Sequence, residues 1–482
     1  MANFPDWVVK HKQKGTEIRK IKGHYYLYRI TSRWDKQKKR PVKVTLGLLG
    51  KITPEGFIPS EKHQLKEQVE NPKNLSTKEY GITALIEQQF DEFVGRLKDY
   101  FPQLWRFILA LSYCRFVYHS PMKRCDLHWT NSFLSEVYGQ AGLSSSKLSE
   151  KLRQLGGQRQ KIVEFLRSFV IEGESILFDG SDLLSKSENM SYPKTARSKK
   201  GTFEQLMNLM FIFSVDRRMP LYYRLLPGNV RDVKAFRLSL EESGIKEAIV
   251  IADKGFYSRG NVELLRSENL EYILPLKRNS SLIDYSVVAS GDLGRFDGYF
   301  RYQDKVIWYY EYRKEDQRII VYLNERLRNQ EINDYLHQLE KRGEDIKDSD
   351  FYEKQYQFGT LAITTNSERS AQQLYINYKS RHQIEQMIDV LKNLYQADSS
   401  YMQDERALEG WMFVNYVVLY WHYKLVQLLT ETGLAGKYSV EDILSFLREV
   451  RKIRINDRWF TAEITKKDQK LLEQLNLHIH IV

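Results

Sequence analysis

Residues 175 to 278 contain short apolar and amphipathic segments in an order that restricts the fold more than any other part of the chain. Three segments typical of strands come first, at 175–180, 206–215 and 221–229. The segments that follow alternate in type: a helix at 232–244, a strand at 247–252, a helix at 258–270 and a strand at 271–277. The order β-β-β-α-β-α-β predicts an α/β fold with a mixed sheet and helices packed on it.

Two of these predicted strands run directly into an aspartate. Asp179 follows the apolar residues 176–178, and Asp253 follows 249–252. If the two strands are parallel neighbours, about 4.8 Å apart, both carboxylates emerge at the same C-terminal edge, where ligand sites are favoured. That separation suits two carboxylates that share a pair of divalent cations about 3.5–4 Å apart. Either aspartate alone would be an ordinary strand-end or turn residue.

A third acidic residue lies in a predicted helix at 375–394, YINYKSRHQIEQMIDVLKNL. At about 100° per residue, four polar side chains fall within an arc of about 60°: Tyr378, Arg381, Glu385 and Lys392. The apolar side chains fall on the other side and predict a core-facing surface: Ile384, Met387, Ile388, Leu391 and Leu394. A stripe of this kind can also be a solvated face with ordinary ion pairs.

The charge balance points to a polyanionic partner. The chain has 482 residues, 74 Lys+Arg against 62 Asp+Glu, and a formal net charge of +12. Such an excess favours nucleic acid first and a membrane surface second. The apolar run 411–421 is too short to span a bilayer, and the N-terminus lacks an apolar signal core, so we expect a cytoplasmic protein without membrane segments.

Two cysteines, Cys114 and Cys125, make neither a disulfide framework nor a Cys-x2-Cys zinc pair. No HExxH motif is present, which further disfavours zinc.

The first 50 residues are strongly basic, with 13 Lys+Arg against 3 Asp+Glu. The segments 24–34 and 41–52 are typical of two strands, joined by a polar turn at 35–40. A basic β-ribbon of this kind can lie in a DNA groove. The candidates for DNA contact in the turn are Lys36, Lys38, Lys39 and Arg40. Tyr25, Tyr26, Tyr28 and Trp34 are interleaved with the charge and favour the same role. The alternative is a small sheet whose exposed edge is protected by lysines.

The chain divides into six predicted segments. These are a basic β-rich DNA-binding arm at 1–75, a helical DNA-binding or linker domain at 76–170, a catalytic core at 171–278 and 358–425, a β-rich insertion at 279–357, and a C-terminal helical region at 426–482. A turn at Gly142 leads into the predicted helix SSSKLSEKLRQLG, where a helix–turn–helix is possible, although plain helical packing is the alternative.

The spacing Tyr378-x2-Arg381-x3-Glu385-x6-Lys392, preceded by SILFDG and IVIADKGF, resembles the DDE transposases of bacterial insertion sequences. It is similar to the branch with a Tyr–Arg–Glu–Lys signature. The resemblance covers about residues 170–425 and does not extend over residues 1–150. It implies a ribonuclease H-like core interrupted by a β-rich insertion, and the basic β arm and helical flanking domains are predicted from the residues themselves.

The resemblance also implies roles for individual residues. Asp179, Asp253 and Glu385 would be the catalytic, metal-binding triad, and Tyr378, Arg381 and Lys392 would contact the transposon end. The cofactor would be two Mg²⁺ ions per active site, for which Mn²⁺ can substitute, because three carboxylates offer the oxygen ligands that Mg²⁺ prefers. The reactions would be hydrolysis at the element's terminal inverted repeats and transfer of the 3′-hydroxyls into target DNA. The partners would be double-stranded end and target DNA, bound by a homodimer associated with the nucleoid.

Three nearby acids compete for places in the triad: Asp182, Asp216 and Asp389. Asp216 closes a strand that should run antiparallel to the first, which places it at the opposite edge of the sheet. Asp389 is one helical turn beyond Glu385 and is the serious rival.

Trp308 is a candidate for stacking on an unstacked base if the ends are freed through a DNA hairpin, as is thought for related transposases with a β-rich insertion. Packing within the sheet is the alternative reading, and Tyr302, Tyr309 and Tyr310 are rival rings.

Three other functions remain open. The first is a metal-dependent nuclease on the same core that never joins strands. The second is a domesticated DNA-binding protein with an inactive site. A glycosidase with paired carboxylates is the third, and the basic chain with Arg381 and Lys392 beside Glu385 disfavours it.

Overall fold

A computed structural model describes residues 4–35, 39–60, 75–197, 202–230, 232–343, 345–346, 350–456 and 458–479. The chain forms two compact units. The first contains the described parts of Met1–Gly81, Arg448–Leu472 and His478–Val482, and the second those of Ile82–Leu447 and Glu473–Leu477. The domain boundaries that we infer from the sequence remain predictions.

The strands are β1 (Thr16–Ile21), β2 (His24–Asp35), β3 (Arg40–Thr53), β4 (Gly56–Pro59), β5 (Leu75–Glu79), β6 (Ser175–Ser185), β7 (Lys194–Arg197), β8 (Phe203–Ser214), β9 (Met219–Pro227), β10 (Ile249–Ala252), β11 (Glu271–Pro275), β12 (Gly298–Tyr302), β13 (Lys305–Lys314), β14 (Gln317–Leu323), β15 (Thr360–Thr365), β16 (Ser399–Ser400), β17 (Arg451–Ile455) and β18 (Arg458–Thr461).

The helices are α1 (Asp6–Val9), α2 (Gly81–Gln89), α3 (Asp91–Tyr100), α4 (Trp105–Tyr118), α5 (Cys125–Asn131), α6 (Leu134–Tyr138), α7 (Ser145–Gly156), α8 (Arg159–Arg167), α9 (Asp232–Ser243), α10 (Arg259–Ser267), α11 (Ser286–Ser290), α12 (Glu325–Arg342), α13 (Phe351–Lys354), α14 (Ala371–Lys379), α15 (His382–Asp389), α16 (Glu405–Glu431), α17 (Val440–Glu449) and α18 (Lys466–Gln474). A π-helical segment, Val390–Leu394, follows α15 directly.

The first unit contains an antiparallel sheet of order β1-β2-β3-β4. The predicted pairing of the two basic N-terminal strands is confirmed, because β2 pairs with β3 from Tyr25↔Ile52 to Asp35↔Arg40. Buried Val8 of α1 packs with Ile18, Leu27 and Ile52 at the base of this sheet. Beyond that cluster, β2 and β3 extend as a two-stranded ribbon with largely exposed side chains.

The same unit contains a second antiparallel sheet of order β18-β17-β5. β17 and β18 lie in the region 426–482, for which the sequence predicts helices alone, so this part of the secondary-structure prediction is wrong. The two strands are short, and Asn456, directly after β17, has a φ of 55°. Asparagine tolerates this left-handed conformation, which ends the strand.

The second unit contains a large mixed sheet, and the predicted α/β class with a mixed sheet is confirmed. Its order is β12-β13-β14-β15-β11-β10-β6-β8-β7, with β9 also paired to β8 and β16 to β6. β6, β10 and β11 are parallel, and β8 runs antiparallel to β6. Phe178 of β6 contacts Phe236 of α9 at a ring distance of 4.7 Å, so α9 covers one face at the centre of the sheet.

The strands predicted between residues 279 and 357 belong to this same sheet. β12, β13 and β14 form an antiparallel run, β14 pairs with β15, and β15 pairs with β11. Residues 279–357 therefore widen the central sheet through continuous hydrogen bonding.

The apolar run Trp411–Trp421 lies inside α16, and the prediction of a buried helix is confirmed. Asp404 caps this helix by accepting a hydrogen bond from the Ala407 amide at 2.8 Å. α16 approaches α7 so closely that a Cβ on Gly410 would overlap the backbone carbonyl of Leu152. Glycine is required here because any side chain would separate the two helices. Across the described ranges, no helix has both the length and the apolar character that crossing a bilayer needs.

Candidate active site

Asp179 and Asp253 lie level with each other on neighbouring strands. β10 pairs with β6 in parallel, and the last pair in the register is Ala252 with Phe178. The next residue on each chain segment is the aspartate, so the predicted parallel arrangement of the two segments is confirmed. Both side chains are half-buried. The spacing of paired strands places the two backbones about 4.8 Å apart.

The strand that contains Asp179 is longer than expected. The sequence predicts that it ends at Asp179, but β6 continues to Ser185 because β8 pairs with it as far as Leu184. β10 does end at Ala252, where Asp253 accepts a hydrogen bond from the Lys254 amide at 2.7 Å and caps a short 3-10 turn. One acid therefore lies within a continuous strand, and the other lies at a strand end.

The predicted helix at 375–394 is interrupted. α14 begins with a capping box formed by Ser370 and Gln373 and ends at Lys379. Around Ser380 and Arg381 the backbone makes i→i−3 bonds, such as the Arg381 amide to the Tyr378 carbonyl at 3.1 Å. α15 then continues, and its predicted core residues are buried: Ile384, Met387, Ile388 and, in the π-helical segment, Leu391. Leu394 is only half-buried.

Arg381 lies among the acidic side chains of the site. Its Nη1 is 3.1 Å from Oδ1 of Asp253, and its Nη2 is 2.8 Å from Oε1 of Glu385. Burial by itself lowers the pKa of Arg381. The neighbouring groups more than offset this effect, so the pKa lies above its usual value. These neighbours are Tyr378, Asp253, Glu385 and Asp179. The guanidinium therefore stays charged and supplies the counter-charge for the carboxylates.

Tyr378 lies beside the same cluster. Burial raises the pKa of its phenol, with further increases from Asp253 and Glu385 that the charge of Arg381 partly opposes. The phenol is therefore protonated at neutral pH and can donate a hydrogen bond.

Lys392 lies beside β6. Its Nζ donates a hydrogen bond to the backbone carbonyl of Asp182 at 2.6 Å. Asp182 is three residues beyond Asp179 on the same strand, so Lys392 connects the π-helical segment to the strand that contains Asp179. The structure thus brings Tyr378, Arg381 and Glu385 together at Asp253 and places Lys392 further along β6.

The rival acids lie in different environments. Asp216 accepts a hydrogen bond from the Ser175 amide at 2.8 Å. Ser175 is the first residue of β6, so Asp216 lies at the opposite end of the apolar run from Asp179. Asp389 is exposed and accepts a hydrogen bond from the side-chain amide of Asn393. The side chain of Asp182 is half-buried. The expected position of Asp216 at the opposite edge of the sheet is confirmed.

A cavity of about 590 Å³ adjoins Glu385. Its lining residues are His382, Glu385, Gln386, Asp389, Val390, His422, Tyr423 and Val426. Burial lowers the pKa of His422 to about 4, with a smaller contribution from His119, so this imidazole is neutral at neutral pH. Its Nδ1 lies 2.9 Å from the hydroxyl of buried Tyr395. The sequence analysis does not predict this pair; His422 within the apolar run 417–423 is a signal of burial, but nothing in the sequence indicates that Tyr395 reaches it.

Trp308 is half-buried in β13. Its ring lies 6.0 Å from that of Phe296 and 5.2 Å from that of Tyr299, which is 62% exposed. Of the rival rings, Tyr310 is buried and donates to the Asp284 carbonyl at 2.6 Å, which identifies it as a packing residue.

In the basic turn, Lys39 and Arg40 are exposed, while Lys36 and Lys38 lie outside the described residues. Tyr25 contacts the rings of Phe4 and Trp7 and belongs to the small core, whereas Trp34 is 63% exposed.

The donor set has the chemistry that a hard divalent cation requires, since Asp179, Asp253 and Glu385 offer carboxylate oxygens. Glu385 is joined to Asp253 through Arg381. Within the described part of the chain, no group of three or more His, Cys, Asp or Glu side chains is arranged closely enough to hold an ion. The residue types fit a divalent metal, and in this structure Arg381 supplies the positive charge between Asp253 and Glu385.

Two strand acids, a helix acid and the cationic side chains of Arg381 and Lys392 are features expected of an enzyme that acts on phosphodiester bonds. The family model of the transposase DDE domain matches residues 173–421, which is more than half of the chain. The chain belongs to this family of DNA transposases. No curated protein matches it.

Two solved structures show limited similarity. A piggyBac transposase synaptic complex with hairpin DNA is 8% identical, with 76% of this chain and 79% of that chain covered and a TM-score of 0.40. The Mos1 transposase paired-end complex with the left transposon end is 14% identical, with 32% and 58% covered and a TM-score of 0.15. Similarity at this level adds nothing to the family assignment.

Proposed function

We propose that this chain is the transposase of an insertion sequence and belongs to the branch with the Tyr–Arg–Glu–Lys signature. It binds the element's terminal inverted repeats, cleaves at the ends by phosphodiester hydrolysis and transfers the 3′-hydroxyl ends into target DNA. It acts on double-stranded DNA as a homodimer at the nucleoid. Lys36, Lys38, Lys39 and Arg40 of the N-terminal arm contribute contacts to the end DNA.

One observation supports this proposal above the others. Asp179 and Asp253 follow paired residues of parallel strands, and Arg381 joins Asp253 to Glu385. Arg381 thus links a strand acid to a helix acid from a distant part of the chain, and Asp179 lies on the strand next to the first of these. The order of the central strands, β9-β8-β6-β10-β11, supports the proposal that the core is ribonuclease H-like.

Asp179, Asp253 and Glu385 would hold two divalent cations, Mg²⁺ or Mn²⁺. The chemistry that such ions supply when bound is activation of an oxygen nucleophile and neutralisation of charge at the phosphorus and the leaving oxygen. The carboxylates' own contribution is a set of oxygen ligands, held by β6, the end of β10 and α15.

The neighbouring donors hold the DNA. Arg381 can grip a phosphate through two parallel N–H bonds, and its position beside two of the acids places that phosphate at the reacting centre. Tyr378, protonated at neutral pH, donates a hydrogen bond at the same point. Lys392 neutralises a phosphate further along β6. Trp308 stacks on an unstacked base where the DNA bends.

Two other functions fit the same core. A nuclease without strand transfer would use the same acids, and its products would lack joined strands. A domesticated DNA-binding protein would bind end DNA without cutting it.

The test is to incubate the purified chain with its flanking element DNA and Mg²⁺, then to map the cut positions and any joined products on labelled strands. Cuts at both element ends with joined target strands are the expected result. Cuts without joined products would favour the nuclease, and binding without cuts would favour the domesticated protein. Asp253→Ala is the control for contaminating nucleases.

A further inference from the structure

The two faces of the β2–β3 ribbon differ in the arrangement of their cations. Successive side chains on a strand alternate between faces, so Arg29, Thr31 and Arg33 of β2 share one face. Directly opposed residues of an antiparallel pair share a face as well, which adds Gly47, Val44 and Val42 of β3. The register skips Leu46 between Arg29 and Ile30, so Gly47 and Val44 share this face although they are three residues apart. We name these six residues the arginine face.

The described partners opposite the two arginines are uncharged. Arg29 lies opposite Thr16 of β1 and Gly47 of β3, and Arg33 lies opposite Val42. Both arginines are exposed. At about 3.3 Å per residue, their Cα atoms lie about 13 Å apart along one side of the ribbon. They are therefore available to a ligand that presents repeated negative charges.

The opposite face contains cations that are bound within the protein. Glu17 accepts from Arg19 at 2.7 Å and from Lys43 at 2.5 Å. Arg19 also donates to the Thr45 hydroxyl at 2.6 Å, and its guanidinium lies 4.6 Å from the centre of the Tyr28 ring. Glu17 is thus an ion-pair partner of both cations, whereas no acidic side chain of the described residues lies within ion-pair distance of Arg29 or Arg33.

We propose that the arginine face binds the phosphate backbone of double-stranded DNA, an inference that rests on the proposed function of the arm. The charge of the segment is complementary to DNA, since the residues between Glu17 and Glu55 include eleven Lys or Arg and one acid, Asp35. Guanidinium groups bind phosphate through two N–H bonds. Gly47 has no side chain beside Arg29, which lets a DNA backbone come close.

This face supplies affinity and register, and it does not select a sequence, because phosphates are the same at every base pair. Beyond Arg29 the ribbon has only two strands, which is the width that a major groove admits, so Arg33 would lie against one wall of that groove and Arg29 at the edge of the third strand.

The test uses the full chain, a short duplex of arbitrary sequence and EDTA, so that no cleavage occurs. The dissociation constant is measured over a range of salt concentrations for wild type, Arg29→Gln/Arg33→Gln and the control Arg19→Gln/Lys43→Gln. Both double variants remove two positive charges from the same four-stranded sheet, the first from β2 and the control from β1 and β3. Each lost phosphate contact reduces the slope of log K against log salt by about 0.9, so we expect the first variant to lose about two units and the control to keep the wild-type slope.

Circular dichroism and melting curves check that both variants are folded. Equal reductions in the two variants, no reduction in either, or a wild type without salt dependence would each overturn the inference. A chain that shows the expected slopes but does not cut its element ends would contradict the proposed function and leave the arginine face intact. Cleavage with unaltered slopes would contradict the arginine face alone.

Discussion

The guanidinium of Arg381 lies 3.1 Å from the carboxylate of Asp253. This contact joins the break between α14 and α15 to the end of β10. In sequence, residues 279–357 lie between Asp253 and Arg381. Arg381 contacts Glu385 at the same time, so the cation organises acids from a strand and a helix. The acids of the site repel one another, and Arg381 reduces that repulsion where it contacts them.

Replacement of any one member of the proposed triad should abolish end cleavage. We expect Asp179→Ala, Asp253→Ala and Glu385→Ala to lower the cleavage rate at least about a thousandfold, because the three carboxylates act as a unit. Binding to end DNA should persist. Asp389→Ala is the matched control, since Asp389 is exposed and one turn from Glu385. If cleavage survives Glu385→Ala and is lost in Asp389→Ala, Asp389 would be the third acid of the triad in place of Glu385.

Arg381→Ala should weaken binding of the cleaved end and lower the melting temperature in EDTA. The loss of stability follows from the unbalanced charges of Asp253 and Glu385, which the variant leaves near each other. Mg²⁺ should restore more of the melting temperature in the variant than in the wild type, because a bound cation replaces the missing charge. Differential scanning fluorimetry with and without Mg²⁺ measures this, and equal Mg²⁺ effects in both proteins would contradict it.

The stability of the second unit should fall in mild acid through His422. Burial lowers its pKa to about 4, so the unfolded chain binds a proton near pH 6.5 that the folded chain does not. The stability contribution is therefore present above pH 6.5 and is lost as the pH falls toward 4, by at most about 3 kcal/mol. His422→Gln should show a smaller fall in melting temperature between pH 7 and pH 5. His337→Gln, at an exposed position, should behave as wild type, and parallel curves for all three proteins would rule out the effect.

Gly410→Ala should destabilise the chain by about 1–3 kcal/mol or more, because the added methyl group overlaps the Leu152 carbonyl and forces α7 away from α16. Gly95→Ala is the matched helical control, since no atom lies within 4 Å of its added Cβ. It should be neutral or stabilising by about 0.5–1 kcal/mol. Chemical denaturation compares the two, and equal midpoints would mean that the helices can separate without cost.

Trp308→Ala should slow hairpin formation or second-strand cleavage and spare the first nick, because a stacked base gains about 1–3 kcal/mol from an aromatic ring. Trp308→Phe should retain part of that rate. A strand-resolved time course on labelled end DNA separates the steps. Equal slowing of both, or loss of soluble protein, would show that the ring only packs against Phe296 and Tyr299.

The central geometry could be predicted because it depends on local patterns. Apolar runs that end in acids identify Asp179 and Asp253, and the i, i+4 spacing brings Arg381 to Glu385 even though the helix breaks before it. The contact of Arg381 with Asp253 could not be predicted, because it depends on how α14 and α15 pack on the sheet.

Aromatic residues in the arm were harder to interpret. Tyr25 alternates with basic residues in the sequence, which favours a DNA-facing role, yet it packs against Trp7 of the small helix α1. Alternation alone does not reveal which face of a strand a distant helix covers. For β17 and β18 the segments are too short for a periodicity to emerge, and their pairing with β5 is a long-range contact.

The continuous pairing of the central sheet has a consequence for hydrogen exchange. β6 lies between β10 and β8, and β10 lies between β11 and β6, whereas β12 is at one end of the strand order. Amides of β12 can exchange through fraying of one strand, but those of β6 and β10 need a larger cooperative opening. The amides of β6 and β10, the strands next to Asp179 and Asp253, should therefore be among the last to exchange. The amides of β12, which pairs with the strand that contains Trp308, should exchange faster.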